Sequence, residues 1–435
     1  KNNFHFKICV CQGQCVSAFF LNEQLIARTL CLCGVPPYSI IFMYIAEKEF
    51  IFTVSVIAFI NFFLARKNFT KLKLFFGIFI NLSILFVYKY LNFFSKLFNF
   101  SDQIIELTLP VGISFITFHS ISYLVDVFKK KIPPETKLSD FYLFIFMFPQ
   151  VIAGPITRYS NIYKKIKTLT NKYFNIGIYI FFVGLCQKVL IADQLGLYVN
   201  EVYNLPVKYI SYLDSLITPI FYINQLYFDF SGYTNIAIGL GYIIGVKLPI
   251  NFNYPLSSFS IGEFWSRWHI SLSTFIRDYL FIPINKFFNI SKNENSVKYF
   301  MSIIFCFLLS GLWHGANLTF IFWGLIHGLA VVIEKALGIS KKNFLTKTYF
   351  LIVLSLSFVY FRSPDISYAN NLILNIFNFE NNNNFVFLQF MNIKFIIISL
   401  LSIIFLFPTN CMQGRKFLRF LNNRSLTFAC ILPLL

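Results

Sequence analysis

Two histidines lie in or beside long apolar sequence: His269, in Glu263-Phe-Trp-Ser-Arg-Trp-His269, and His314, in Ser310-Gly-Leu-Trp-His-Gly315. Each follows a tryptophan, and 45 residues separate them. Imidazole exchanges a proton near neutral pH, so both are candidates for general acid/base work. A polar, ionisable ring is costly in lipid, and its presence there points to function. The competing readings are structural: His314 could be hydrogen-bonded between helices for packing, and His269 could be solvated at the membrane surface. His327 follows His314 by 13 residues, which is about 140° around a continuous helix, and so reads as structural. His119 stands alone in an apolar run and reads as a packing histidine.

The acidic candidate is Asp229, in Tyr227-Phe-Asp-Phe-Ser-Gly-Tyr233. It reads either as a carboxylate at a helix end near the interface or as an acid facing an internal cavity. Asp278, next to Arg277, reads as a partner for neighbouring basic groups. No phosphate-cradling Gly-x-x-x-x-Gly-Lys loop, dinucleotide fingerprint or Gly-x-Ser-x-Gly elbow is present. Five of nine cysteines fall before residue 34, as Cys9-Val-Cys11, Cys15 and Cys31-Leu-Cys33. Without matching histidine spacing they do not make a zinc site.

The elements that must position these residues follow from composition. The chain has 435 residues, 57% hydrophobic, 20% aromatic and only 13% charged, which excludes an ordinary soluble domain. The net charge of +19 lies in short breaks between apolar runs. That placement fits topology and anionic headgroups, not nucleic acid. Runs near the ~20 residues of a crossing are 49–65, 72–94, 107–128, 173–192, 209–228, 297–313, 316–338, 347–361 and 393–408. Less regular stretches at 141–157 and 233–248 bring the expectation to about nine to eleven transmembrane helices by that length. Residues 1–38 form an atypical Cys-containing segment, residues 39–435 a single membrane domain, and the apolar run from Ser425 to Leu435 reads as a cut C-terminus.

Basic residues around Arg66, Lys129 and Arg158 mark three breaks as cytoplasmic. The last two flank one apolar stretch that contains Pro149-Gln-Val-Ile-Ala-Gly-Pro155, so 141–157 reads as a re-entrant segment. The stretch from Tyr227 to Trp268 reads as irregular because of its Gly, Pro and Asn residues. From Ser257 the spacing of Trp265, Trp268, Leu272 and Phe275 predicts an amphipathic helix lying partly in the interface.

The motifs Tyr227-Phe-Asp-Phe-Ser-Gly-Tyr233, Glu263-Phe-Trp-Ser-Arg-Trp-His-Ile-Ser-Leu-Ser273, Arg277-Asp-Tyr-Leu-Phe-Ile-Pro283, Gly311-Leu-Trp-His-Gly-Ala316 and Phe322-Trp-Gly-Leu-Ile-His-Gly328 occur in that order. Upstream stand Leu109-Pro-Val-Gly-Ile-Ser-Phe115, Ser122-Tyr-Leu-Val-Asp126 and Phe148-Pro-Gln-Val-Ile-Ala-Gly-Pro155. Together they resemble the membrane-bound O-acyltransferase family, in the bacterial branch that O-acetylates alginate and related envelope polysaccharides. The resemblance covers roughly 40–410; Ile284-Asn285-Lys286 stands where a Gly-Gly turn is common.

That resemblance implies an all-α polytopic fold around a central tunnel, in a bacterial inner membrane. It implies His314 as the catalytic base and His269 as the second signature residue, with Gly311 and Gly315 letting substrate approach the backbone and Trp313 walling the tunnel. Arg267 and Arg277 could hold the phosphates of an acyl donor or anchor headgroups, and Trp268 and Asp229 complete the candidate donor-binding set. The implied donor is acetyl-CoA or another acyl thioester, with no bound cofactor or metal. The implied partners are membrane lipids, an extracytoplasmic acetyltransferase and a polysaccharide acceptor. Three other readings compete: D-alanyl transfer from a carrier protein to teichoic acid, a proton-coupled transporter or flippase of glycan precursors, and a non-catalytic scaffold for a polysaccharide synthase.

Overall fold

A computed structural model describes residues 50–66, 68–98, 110, 112–151, 154–167, 173–290, 296–339, 341–380 and 385–405, with backbone alone at 164–167 and 404–405. The cysteine-bearing segment 1–38, the Asn381–Asn384 run and the stretch from Ser425 lie outside them. Every regular element among the described residues is helical. In order they are α1 (Ile51–Leu64), α2 (Lys71–Lys89), α3 (Leu91–Leu97), α4 (Ile113–Phe128), α5 (Leu138–Phe146), α6 (Phe148–Val151), α7 (Tyr159–Lys167), α8 (Phe174–Cys186), α9 (Asp193–Asn204) and α10 (Tyr212–Ile243). There follow α11 (Ile261–Arg267), α12 (Ile270–Ile276), α13 (Ile282–Phe287), α14 (Val297–His314), α15 (Leu318–Ala336), α16 (Phe344–Arg362), α17 (Ile366–Asn375), α18 (Val386–Phe390) and α19 (Ile393–Phe405).

Among the described residues, five helical stretches are long and apolar enough to cross a membrane: Lys71–Lys89, Phe174–Asn204, Val297–His314, Leu318–Ala336 and Phe344–Arg362. All but the Phe174 stretch start at a side-chain cap that satisfies a first-turn N–H group. Ser296 accepts from the Tyr299 N–H, Asn317 from Thr319, and Asn343 forms a capping box with Thr346.

Two expectations about continuity are corrected. The apolar runs 209–228 and 233–248 are one 32-residue helix, α10. Its glycines do not break it, because they are where α8 crosses. A Cβ on Gly232 would lie 2.8 Å from the Gly184 carbonyl, and one on Gly239 would lie 2.7 Å from the Gly177 carbonyl. Small residues let two backbones meet. Likewise 173–192 does not end there: a π-turn at Gln187–Ala192 joins α8 to α9 in one 31-residue stretch.

The segment around Pro149 is broken, as its prolines imply. Helices α5 and α6 have nine and four residues, too few to cross at 1.5 Å per residue. The freed polar groups are satisfied internally. The Gln150 amide donates to the Phe144 carbonyl and accepts from the Thr157 hydroxyl, while the Thr157 N–H donates to His119 Nε2 at 3.3 Å.

The expected amphipathic helix from Ser257 is also broken up. It comprises α11, a reversal at Trp268-His269, α12, a π-turn at Arg277–Phe281 and α13. Trp265, Trp268, Leu272 and Phe275 are 9% exposed or less. The periodic stripe therefore faces protein instead of the membrane interface, and His269 with it.

Candidate active site

His269 owes its position to a backbone constraint. Its φ of 42° and ψ of 52° put a non-glycine residue in the left-handed region, which persists only where surrounding contacts enforce it. Those contacts come from residues 251–253, through Ile270 N–H to the Asn251 carbonyl at 2.9 Å and Asn253 N–H to the Arg267 carbonyl at 2.9 Å. The α11 end is held by α15. There Glu334 accepts from the Ile261 and Gly262 N–H groups, and His327 accepts at Nδ1 from the Trp265 indole at 3.2 Å.

The hydrogen bonds fix one tautomer of His269. Its Nδ1 lies 3.1 Å from Asn251 Oδ1, and the same oxygen receives the Ser271 N–H at 3.1 Å and the Ser271 hydroxyl at 2.8 Å. A backbone N–H can only donate, so Oδ1 is the acceptor and His269 Nδ1 must carry the hydrogen. Nε2 is left with a bare lone pair. It is buried and has no hydrogen-bond partner among the described residues, and the residue is 1% exposed. The competing reading of His269 as a solvated residue at the membrane surface is thereby ruled out. Asn251 and Ser271 were not singled out by sequence reasoning; the only signal was the polar Asn251-Phe-Asn253 following Pro249.

His314 is the last residue of α14 and is half-buried. The rings of Trp313, Trp323 and Phe361 pack around it in T-shaped contacts, with ring centroids at 4.8, 5.0 and 5.2 Å. The helix end is held from α2, where Lys89 Nζ donates to the Trp313 carbonyl and the Tyr90 hydroxyl donates to the Leu312 carbonyl at 2.9 Å. These bonds satisfy carbonyls that a helix end leaves open, and a cation there suits the helix dipole.

Trp313 joins the two histidines. Its ring lies 6.2 Å from His269 and 4.8 Å from His314. It stacks on Phe118 at 5.3 Å, which stacks on Phe275 at 4.3 Å. The expectation that Gly311 and Gly315 open the backbone to substrate is corrected. The space a side chain would take at Gly311 is filled by the Phe320 carbonyl, and at Gly315 by the Phe320 ring. These glycines serve the α14–α15 crossing.

The other candidates separate. Trp268 is 4% exposed and packs between Phe252 and Phe264. Arg267 pairs with Glu263 at 3.0 Å, and Glu263 also pairs with Lys342 at 2.9 Å. Burial pushes the Glu263 carboxyl up, but the Phe259 N–H and these cations outweigh it and hold it below the usual range. Arg277 pairs with Asp278 at 2.7 Å and is 60% exposed, while Asp278 also pairs with Arg158 at 2.7 Å. Asp278 is likewise raised by burial yet held low by Arg277 and Arg158.

Asp229 is neither at a helix end nor alone: it sits mid-way along α10 and pairs with Lys188 at 2.5 Å, across from the π-turn. His327 lies on α15 and not on a continuation of the helix that bears His314, since Gly315 to Asn317 intervene. Both its nitrogens are engaged, Nδ1 by Trp265 and Nε2 by Ser357 at 3.0 Å.

Described residues that are all helical where regular, with five candidate spans among them and two histidines packed against one tryptophan, define a multi-pass membrane protein. The chain belongs to the MBOAT, or membrane-bound O-acyltransferase, family, whose profile matches residues 81–362. It is 34% identical over 356 residues to a peptidoglycan O-acetyltransferase of Helicobacter pylori, covering 71% of this chain and 66% of that protein. It is 38% identical over 319 residues to a probable alginate O-acetylase AlgI of Pseudomonas aeruginosa, covering 70% of this chain and 60% of that protein. A teichoic acid D-alanyltransferase of Bacillus subtilis is 33% identical over 231 residues, covering 50% of this chain and 57% of that protein. The chain therefore spans less than two thirds of the length of these relatives.

Proposed function

We propose that this protein is a membrane O-acyltransferase that moves an acetyl group from a cytosolic thioester toward an extracytoplasmic polysaccharide, directly or through a partner acetyltransferase. The observation that carries this reading is the His269–Trp313–His314 arrangement, in which a buried, singly tautomeric imidazole and a half-buried one flank the same indole. His314 is the base that takes the acceptor hydroxyl's proton. The hydroxyl oxygen then bonds to the carbonyl carbon, the C–S bond breaks, and the imidazolium returns the proton to the leaving sulfur. His269, with its bare Nε2, accepts a hydrogen bond within the same site.

The domain is a single one. We count nine crossings among the described residues, in a bacterial inner membrane, by adding α1, α4, α10 and α19 to the five long apolar stretches. The donor is acetyl-CoA, used as substrate. A flippase reading is weakened because its intramembrane acid, Asp229, is already paired with Lys188. Transfer from a D-alanyl carrier rests on relatives matched over only about half of this chain.

The test supplies the full chain, in vesicles of its own membrane, with labelled acetyl-CoA or with a D-alanyl-charged carrier, and follows label into polysaccharide. Acetyl label in the polysaccharide is the expected result. Label from the carrier alone would replace the donor, and glycan movement with no thioester consumed would replace the reaction class.

A further inference from the structure

Helix α14 presents a continuous stripe to a cavity of about 300 Å³. Tyr299, Ile303, Cys306 and Ser310 line it at intervals of three or four residues, the spacing that keeps side chains on one face. The next residue on that stripe is His314. One further turn, about 5.4 Å of rise, therefore leads from the cavity's Ser310 end to the candidate base. Ile276 and Phe281 also belong to the lining. Two exposed cations, Arg277 and Lys335, belong to the lining.

Ser310 shares with Ser120 and Ser231 a buried helical hydroxyl that has no hydrogen-bond partner among the described residues, and of the three it is the one that lines this cavity. A helical serine ordinarily donates to a carbonyl three or four residues back. Ser302 on the same helix does so, to Tyr299 at 2.8 Å, as does Ser357, to Leu354 at 2.8 Å. The Ser310 hydroxyl is 3% exposed and has no hydrogen-bond partner among the described residues. A buried hydroxyl left unpaired is unfavourable, and here it lies against a cavity otherwise lined mainly by apolar side chains.

We infer that this cavity receives an acyl thioester whose slim arm lies along α14, and that the Ser310 hydroxyl donates to the thioester carbonyl oxygen beside His314. This rests on the acyltransferase reading above. The apolar walls suit a neutral arm, and the two cations suit a phosphate at its far end. As the acceptor oxygen attacks, the carbonyl oxygen gains negative charge, and a fixed donor then contributes more than it does in the ground state. Ser310 touches the reacting group but neither gains nor loses its own proton overall.

The test compares acetyl-CoA with its dithioacetyl analogue, in which C=S replaces C=O, using the full chain in its own membrane vesicles. Ser310→Ala is expected to lower kcat for acetyl-CoA about 10²-fold, the effect of removing one such donor, with KM little changed. The preference for the oxygen substrate over the sulfur one should collapse, because sulfur accepts hydrogen bonds poorly. Ser310→Thr, which keeps the hydroxyl, should recover much of that preference. If Ser310→Ala does not reach the membrane, Ser310→Cys fills the same space with a weak donor and carries the same expectation. Equal losses for both substrates, or a wild-type rate in Ser310→Ala, would overturn the role of Ser310 while leaving the acyltransferase reading intact. A wild-type protein that consumes neither thioester would overturn both.

Discussion

Asn251 Oδ1 accepts the Nδ1 hydrogen of His269 at 3.1 Å, and the Ser271 N–H on the same oxygen fixes the direction of that bond. A single side chain thereby decides which nitrogen of a buried imidazole can act as an acceptor. Asn251→Leu should lower turnover per folded molecule about 10- to 100-fold, as loss of an orienting partner does, and should cost at least about 1–3 kcal/mol of stability by stranding the buried Ser271 N–H. Steady-state rates of thioester consumption check this.

The bond from Trp265 to His327 ties α11 to α15 at the wall of the donor cavity. Trp265→Phe keeps the ring but strands the His327 lone pair, at a cost of about 1–3 kcal/mol. Thermal inactivation in detergent should show that loss, while the surviving folded protein keeps turnover within about tenfold, since one positioning contact is lost and no reacting group.

At the α8–α10 crossing, Gly184→Ala would press a methyl group onto the Gly232 carbonyl, 2.6 Å from the ideal Cβ position. Backbone cannot move aside as a flexible side chain does, so a destabilisation of about 1–3 kcal/mol or more is expected. At Gly262 the nearest atom is the Glu334 carboxylate at 3.4 Å, and Ala there should be tolerated. Comparing the two melting curves tests the close approach.

Asp278, whose carboxyl is pushed up by burial but held lower still by Arg277 and Arg158, gives a pH dependence with a definite sign. Its folded pKa lies below its unfolded value of about 3.9. The stabilisation is therefore complete above that value and is lost as pH falls through the folded pKa. Asp278→Asn should cost about 1.5–3 kcal/mol at neutral pH, the range for hydrogen bonds to a charged group. The difference from wild type should shrink below about pH 4, which melting curves across pH would show.

Much of this architecture was legible in the sequence, for physical reasons that also explain the failures. The runs 297–313, 316–338 and 347–361 are unbroken in apolarity and correspond to α14, α15 and α16. The continuity of α10 was not legible, since Gly232 and Gly239 look like breaks until the α8 backbone packs against them. Spacing alone put Trp265, Trp268, Leu272 and Phe275 on one stripe, but periodicity does not say whether lipid or protein covers it. That ambiguity kept a solvated His269 open as a competing reading. Asn251 was invisible because a lone asparagine has neither period nor motif, and its role exists only once residues 251–253 meet 267–271.

The most direct test of the central claim is consumption of labelled acetyl-CoA by membrane vesicles bearing wild type, His314→Ala or His269→Ala, each matched for folded protein. Loss of a general base removes about 10²–10⁴-fold in rate, and the His314→Ala rate is expected to fall in that range, with His269→Ala also impaired. A folded His314→Ala protein that transfers acetyl at the wild-type rate would contradict the mechanism.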